Sequence, residues 1–571
     1  MEKIVRLKRA FKREKIDGYI IPKNDEFFGE YIPRYNDRLK YISNFTGSYG
    51  YALILRSKNY LFVDGRYTLQ ANNQSGKNFK VVTFPNQMPY NYIKNKKLTI
   101  GFDPKLFTKK SLEAFFGKNF KNKPIENNLV DEIWKRNMKV VNKKFYNMPE
   151  RSINESYNSK ANKIVLNLRK KKADYQFITA SENTAWMLNI RGRDTEFTPI
   201  PHCYVLIDKF KKINFFCDLK KISHHFKRNL KNINFININL INDYLLKIKK
   251  KKFIIDGTTC SLYFENIILK NNKILNLRDP IYFLKAIKSK KEINNVKKIH
   301  IDDGVALTRY LFWIKKNFKK KVITEISASK KLLEFRKMNK KFRFSSFPTI
   351  SGTGSNGAII HYKATKKTNK KLKRGDIYLV DSGGQYEFGT TDVTRTISLD
   401  NFNRRIKEIF TRVLKGHIAV ADFKFKKDTV GSNIDKEARK YLKQIGLDYA
   451  HGTGHGVGYF LNVHEGPHAI SRNNRVKLQT GMIVSNEPGY YEKGNFGIRI
   501  ENLIYIKSKK RQKVFQNLTM VPIEKDLIDK SILNKNEKSW LNNYHKEVYQ
   551  KINRYMTGYE ILELKKACSA I

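Results

Sequence analysis

The chain has 571 residues, 40% hydrophobic and 13% aromatic, which is enough apolar material for several packed cores and excludes a disordered protein. Its formal net charge of +61 would suggest a polyanion partner, but the lysines lie in short runs (KNKK, RKKK, KIKKKK, KKNFKKK) along most of the chain, with an excess of Asn, Ile, Phe and Tyr. That pattern reads as compositional drift, and with no aromatic and basic recognition motif beside it no specific nucleic-acid partner is expected.

The N-terminal MEKIVRLKRAFKREKIDGYII is charged throughout, without an apolar signal core, and no apolar run reaches the roughly 18 residues a membrane span needs. Cys203, Cys217, Cys260 and Cys568 form no CxxC pair, as suits a reducing compartment. A soluble cytoplasmic protein with no membrane partner is expected.

In chain order, Ile4, Leu7 and Phe11 mark one face of a helix, followed by the strand GYIIP and the hairpin YALILR/NYLFVDGRY. The same order returns some 160 residues later: IVLNLRKKKADYQFIT follows IVRLKRAFKREKIDGYII, AWMLNIRGRD follows LKYISNFTGS, and CYVLIDKFKKINFFCDL repeats the hairpin. Two copies of one α/β domain are expected, at 1–135 and 136–288, joined near VDEIWKRNM. A third domain, 289–571, opens with an amphipathic helix from about Glu292, whose core face carries Val296, Ile299, Leu307, Tyr310, Leu311 and Ile314. A second helix then leads to SFPTISGTG and a strand at GAIIHY. Two more helices, in RRIKEIFTRVLKGHIAVADF and IDKEARKYLKQIG, precede HGTGHG. A tail from about 524 ends in a polar helix around Trp540 and Tyr544. The fold class is α/β (α+β), with strands carrying polar groups on one face of a curved mixed sheet and helices behind.

Five side chains able to bind metal occur between 381 and 501: Asp381, Asp392, His455, Glu487 and Glu501. Asp381 and Asp392 are equidistant from a turn placed at Tyr386-Glu387, so a hairpin there sets them opposite each other, about 4.5 to 5.5 Å apart at Cβ. Glu487 and Glu501 are symmetric about Gly494. Two Asp, two Glu and one His form a hard, oxygen-rich set that suits Mn, Co, Zn or Fe better than copper or an iron-sulfur cluster. Leaving so many carboxylates buried without a counter-charge would cost several kcal/mol each.

These positions lie in SFPTISGTGSNGAIIHY, LVDSGGQY, GTTDVTRT, HGTGHGVGYFLNVHEGP, SNEPGYY and GIRIENL. Together the motifs resemble the catalytic domain of the Xaa-Pro aminopeptidases (aminopeptidase P) in their long three-domain form. The resemblance implies a pita-bread metallopeptidase domain behind two creatinase-type domains. It implies release of the first residue from peptides with proline second, by two divalent cations, Mn2+ first with Co2+ or Zn2+ as alternatives, and a bridging hydroxide. Asp392 and Glu501 would bridge both cations, Asp381 would bind one, and His455 and Glu487 the other, with Glu487 also the general base. The same resemblance implies that His464 stabilises the oxyanion and that His361 and His451 hold substrate and relay protons. It makes Tyr491 and Arg499 supporting residues, brings Arg191 in from the second domain, and predicts a homodimer. His202, His224, His225, His300, His417, His468 and His545 receive no chemical role. The alternatives are a prolidase cleaving Xaa-Pro dipeptides and, from another class, a pita-bread peptide- or RNA-associated binding protein.

Overall fold

The computed structural model describes residues 2–93, 97–118, 120–136, 143–400, 403–510 and 512–571. The junction expected near VDEIWKRNM runs into 137–142, outside the described residues. Two compact units are present, Met1–Tyr282 and Phe283–Ile571.

The first unit holds two sheets of the same design. Strands β1 (Gly18–Pro22), β2 (Tyr51–Leu55), β3 (Asn59–Val63), β4 (Lys80–Thr83), β5 (Ile100–Phe102) and β6 (Asn122–Pro124) are ordered β4-β3-β2-β1-β5-β6. A short pair, β7 (Tyr146–Asn147) with β9 (Ile190–Arg191), brackets the start of the second copy. There, β8 (Tyr175–Ile178), β10 (Cys203–Asp208), β11 (Ile213–Cys217), β12 (Ile233–Asn237), β13 (Lys252–Ile255) and β14 (Lys273–Asn276) are ordered β12-β11-β10-β8-β13-β14. In each sheet the first three strands form an antiparallel meander, and the outer additions are parallel. The helices that open the copies, Glu2–Arg13 and Tyr157–Lys170, end alike. A left-handed lysine follows each, Lys15 at φ 49° and Lys172 at φ 49°, and the next amide reaches back to a helix carbonyl (Ile16 to Phe11, Ala173 to Leu168).

In the second unit, helix Lys290–Asn317 starts with a capping box between Ser289 and Glu292. Helix Glu325–Lys337 follows, and then β15 (Phe342–Ser345), β16 (Ile350–Thr353), β17 (Ile377–Ser382), β18 (Gly384–Tyr386), β19 (Gly389–Thr390) and β20 (Val393–Ser398). The expected strand at GAIIHY is absent: Gly354–Ala358 is a 3-10 turn and the chain continues to Tyr362 as an irregular strap. Alternating apolar and polar residues there mimic a strand, but the amides of Ile359 and Tyr362 close local turns on Asn356 O and Ile359 O, and Tyr362 OH donates to a buried carboxylate, Glu325.

Helices Arg404–Ala421 and Gly431–Lys443 lead to β21 (Gly454–Gly456), β22 (Glu465–Ile470), β23 (Ile483–Asn486), β24 (Gly489–Glu492), β25 (Phe496–Arg499), β26 (Asn502–Lys509) and β27 (Gln512–Asn517). Tyr378 and Val380 of β17, with Val393 and Ile397 of β20, pack on Leu307, Tyr310, Leu311 and Ile314 of the long helix. Val484, Ile504 and Ile506 pack on Val420, Ile434 and Ala438 of the later helices. Because side chains alternate along a strand, these contacts turn residues 381, 394 and 485 toward the opposite face, and 392, 487 and 501 adjoin the ends of the same strands. The last long helix, Lys535–Ile552, buries Leu541, Tyr544, Val548 and Ile552 in a further core with Ile409, Phe410, Val413 and Ile498, so the tail packs on the domain.

Candidate metal centre

Each carboxylate pair arrives on a hairpin, and each ligand sits at or beside a break in its ladder. In the first hairpin the turn falls at Glu387-Phe388, one residue later than expected, so Asp381 faces Thr394 and not Asp392. Moving the turn by one residue shifts the register by two, which keeps both aspartates on one face as diagonal neighbours. In the second hairpin β24 pairs β25 and β23 pairs β26 in a register centred on Gly494, with Asn486 opposite Asn502. Glu487 and Glu501 occupy the gap between these paired segments.

The ladder breaks free backbone donors, and these stitch the ligand segments together. The Glu501 amide donates to Thr394 O at 3.2 Å in the first hairpin, and the Glu487 amide donates to Thr453 O at 2.8 Å in the HGTGHG loop. Thr394 Oγ1 donates to Glu501 Oε2 at 2.8 Å, and Ser485 Oγ donates to Glu487 Oε1 at 3.0 Å.

The side chains converge. Asp392, His455 and Glu501 each offer one ligand atom within 4.8 Å of the others. His455 Nδ1 donates to Gly456 O at 2.9 Å, which fixes the tautomer and leaves Nε2 as a lone pair, 3.4 Å from both Asp392 Oδ2 and Glu487 Oε1. Asp381 Oδ2 accepts from Arg499 Nη2 at 2.7 Å, while Oδ1 is buried with no hydrogen-bond partner among the described residues.

Burial, followed by the neighbouring Asp381 and Glu487 charges, pushes the Asp392 carboxyl well above the usual carboxylate range. Glu501 is raised in the same way, by burial first and then by Asp392. Such a cluster, with one orphaned oxygen and a histidine lone pair facing inward, is frustrated as bare protein and suited to hard divalent cations, which supply the missing positive charge.

Around it runs a directed hydrogen-bond chain. Arg499 Nη1 donates to Tyr491 OH at 2.6 Å, leaving the Tyr491 proton for His451 Nε2 at 2.9 Å, while His451 Nδ1 donates to Gly452 O at 2.7 Å. His464 stands edge-on to His455 with ring centroids 4.3 Å apart. His361 lies directly after Ile360, whose carbonyl accepts from Arg499 Nη2 at 3.4 Å. Nine of the eleven residues singled out in the sequence thus have contacts within this neighbourhood, and His361 is joined to it through its chain neighbour Ile360. Arg191 is buried in the first unit and donates to Ala185 O at 3.1 Å and Ile190 O at 2.8 Å.

Sequence reasoning missed Thr394 and Ser485, although each lies two residues from a ligand on the same strand face. It also missed Asp435 and Arg439, a buried ion pair at 2.8 Å that binds Thr453 Oγ1 and His451 O and so braces the histidine loop. Four histidines given no role, His300, His417, His468 and His545, are buried, and their pKa values are lowered mainly by desolvation.

Residues 294–508 match metallopeptidase family M24, 514–571 match the C-terminal region of peptidase M24, and 3–131 and 136–292 each match a creatinase/prolidase N-terminal domain. A probable Xaa-Pro aminopeptidase P of Laccaria bicolor is 38% identical, covering 100% of this chain and 93% of its own. Xaa-Pro aminopeptidase 1 of Dictyostelium discoideum is 36% identical over 96% of this chain and 93% of its own. The crystal structure of an X-prolyl aminopeptidase from Caenorhabditis elegans, described as a cytosolic enzyme with a di-nuclear active site, superposes with a TM-score of 0.95 at 30% identity, covering 100% of this chain and 99% of that one. Likeness of this extent runs from the first strand to the last helix. The protein therefore belongs to the Xaa-Pro aminopeptidase family of M24 metallopeptidases, in the long form that sets paired N-terminal domains before a pita-bread catalytic domain.

Proposed function

We propose that the chain is a metal-dependent exopeptidase that releases the first residue from peptides with proline at the second position. The observation that carries this reading is the convergence of Asp392, His455 and Glu501, with Asp381 and Glu487 beside them, in a largely buried cluster with too much negative charge to stand alone. Asp392 and Glu501 would serve both of two divalent cations, Asp381 would hold one, and His455 and Glu487 would hold the other. When bound, the cations supply Lewis acidity that polarises the scissile carbonyl and makes hydroxide available near neutral pH.

The chain's own groups do the rest. Glu487, the least buried carboxylate ligand, is the general base, its Oε1 oriented by Ser485. His464, beside His455, is placed to donate to the developing oxyanion. Proline's nitrogen carries no N–H and must be protonated as it leaves. His451 is assigned that proton traffic, through Tyr491, and His361 is assigned to holding the peptide. Arg499 keeps Asp381 and Tyr491 in register with each other. Arg191 is retained as a substrate-binding residue, to be tested by the effect of Arg191→Ala on KM.

Manganese as the native metal, a cytosolic location, a homodimer and three domains at 1–135, 136–288 and 289–571 belong to the same proposal. The repeated strand order supports the first domain division, and Ile561 and Leu562, exposed at 39% and 69% on the C-terminal helix Tyr559–Cys568, offer apolar surface for a second subunit. No helix among the described residues is long and apolar enough to cross a membrane.

The deciding experiment strips metal with a chelator, restores Mn2+, Co2+ or Zn2+ separately, and compares kcat/KM for Ala-Pro-Ala, Ala-Ala-Ala, N-acetyl-Ala-Pro-Ala and the dipeptide Ala-Pro. Activity confined to Ala-Pro-Ala supports the proposal. Equal cleavage of Ala-Ala-Ala or of the blocked peptide refutes it, and preference for the dipeptide identifies a prolidase.

A further inference from the structure

Glu325, the first residue of helix Glu325–Lys337, is completely buried at 0% exposure and lies outside the metal centre. Its carboxylate faces a set of neutral donors. Oε1 accepts from Thr353 N at 2.9 Å and Asn356 Nδ2 at 3.0 Å. Oε2 accepts from Asn356 Nδ2 at 3.0 Å, Tyr362 OH at 2.8 Å and Lys370 N at 3.0 Å. Asn356 and Tyr362 lie in the strap that replaces the expected strand, and Thr353 and Lys370 flank it before and after. A group that only accepts is required here, because a buried amide would turn its own N–H toward at least one of these donors.

The strap carries His361. On one side of it, Ile360 O accepts from Arg499 Nη2 at 3.4 Å; on the other, Tyr362 OH donates to Glu325. His361 is thus held between a residue tied to the Asp381 partner and a residue tied to Glu325. We propose that Glu325 is a positioning residue for the hydrolytic reaction, acting through Tyr362 to fix the strap so that His361 meets the peptide. This inference rests on the role assigned above to His361. None of the five candidate metal ligands lies in the strap, and its one link to them, Ile360 O to the Asp381 partner Arg499, is long at 3.4 Å, so metal content should hold when the Glu325 end is loosened.

The test is a double-mutant cycle on the full chain loaded with Mn2+, using Ala-Pro-Ala and comparing wild type, Glu325→Gln, His361→Ala and the double variant, each with its metal content measured. Glu325→Gln should retain wild-type metal content and lose about ten- to a hundredfold in kcat/KM, the size expected when a reacting group is displaced by about 1 Å. In the His361→Ala background the same change should cost little more, because the residue it positions is gone. Tyr362→Phe, which removes the hydroxyl between Glu325, Asn356 and Thr368 without opposing two donors, repeats the cycle if Glu325→Gln fails to fold. Full additivity with His361→Ala, or loss of metal, overturns the positioning role and leaves the proposed activity standing. Wild-type kcat/KM in His361→Ala overturns both this inference and the role of His361.

Discussion

The two carboxylate hairpins solve one problem with different turns. The second closes on three residues, Lys493 to Asn495, with Gly494 at φ 79° and Asn495 N donating to Glu492 O at 2.9 Å. The turn is open to solvent, and a Cβ on Gly494 would meet nothing within 4 Å. The first closes on Glu387-Phe388 and places its glycines where the chain must pass close to itself: a Cβ on Gly383 would lie 1.9 Å from Thr391 O and 2.3 Å from Ser346 Oγ. One hairpin is therefore set by its tip and the other by its waist.

Substitutions can break that contrast, beginning at the ligands. Asp392→Asn should abolish hydrolysis and lower bound metal, since a neutral amide is a poor bridge between dications; full metal content with full activity would remove Asp392 from the centre.

Acid should separate the hairpins next. His417 Nδ1 lies 3.1 Å from Asn486 O and His468 Nε2 lies 2.8 Å from Ile483 O, so two buried neutral imidazoles hold the carbonyls of β23. Desolvation lowers the first to about 3 and the second to about 4, against 6.5 in the unfolded chain. The unfolded state then binds more protons, so this stability is complete above pH 6.5 and is lost as pH falls toward 4. The loss is about 1.4 kcal/mol per pH unit for each histidine. Hydrogen exchange at pH 5 should show β23 opening more readily than at pH 7.5; equal protection at both would argue against neutral imidazoles there.

At the waist of the first hairpin, Gly383→Ala should cost about 1 to 3 kcal/mol by overpacking, read as a lower Tm with a parallel fall in activity. Near the tip of the second, Tyr491→Phe should keep its metal and lose about tenfold in kcat, as the link between Arg499 and His451 is cut. Smallest of all, Gly494→Ala should cost about 1 kcal/mol from the left-handed backbone alone and leave kcat unchanged. A larger loss at Gly494 than at Gly383 would reverse the assignment of tip and waist.

This contrast also explains what could be read from the chain. The Gly494 turn was legible because a symmetric loop with a central glycine announces its own register. In DSGGQYEFGTTD the paired glycines suggest a turn near the wrong centre, since close approach and chain reversal both call for glycine. The carboxylates were still read onto the correct face, because the error was an even number of residues. The amphipathic helices and the repeated N-terminal sheets follow from periodicity, and the five candidate ligands from residue chemistry together with the family motifs around them. The strap at 354–362 does not, because its partner Glu325 lies about thirty residues upstream and carries no local signal. Nor do Asp435 and Arg439 stand out as the brace of the histidine loop, since an i,i+4 ion pair usually reads as solvated helix surface.

The stitches from Glu501 to Thr394 and from Glu487 to Thr453 bear on how the molecule is built in time. They join segments far apart in sequence, so they close after the local hairpins and helices, which form in microseconds. A refolding chain should recover its helical circular dichroism before it can capture metal, and metal uptake then reports completed docking and not collapse. Cations that grip only these last-formed contacts should slow unfolding strongly while leaving the folding rate almost unchanged.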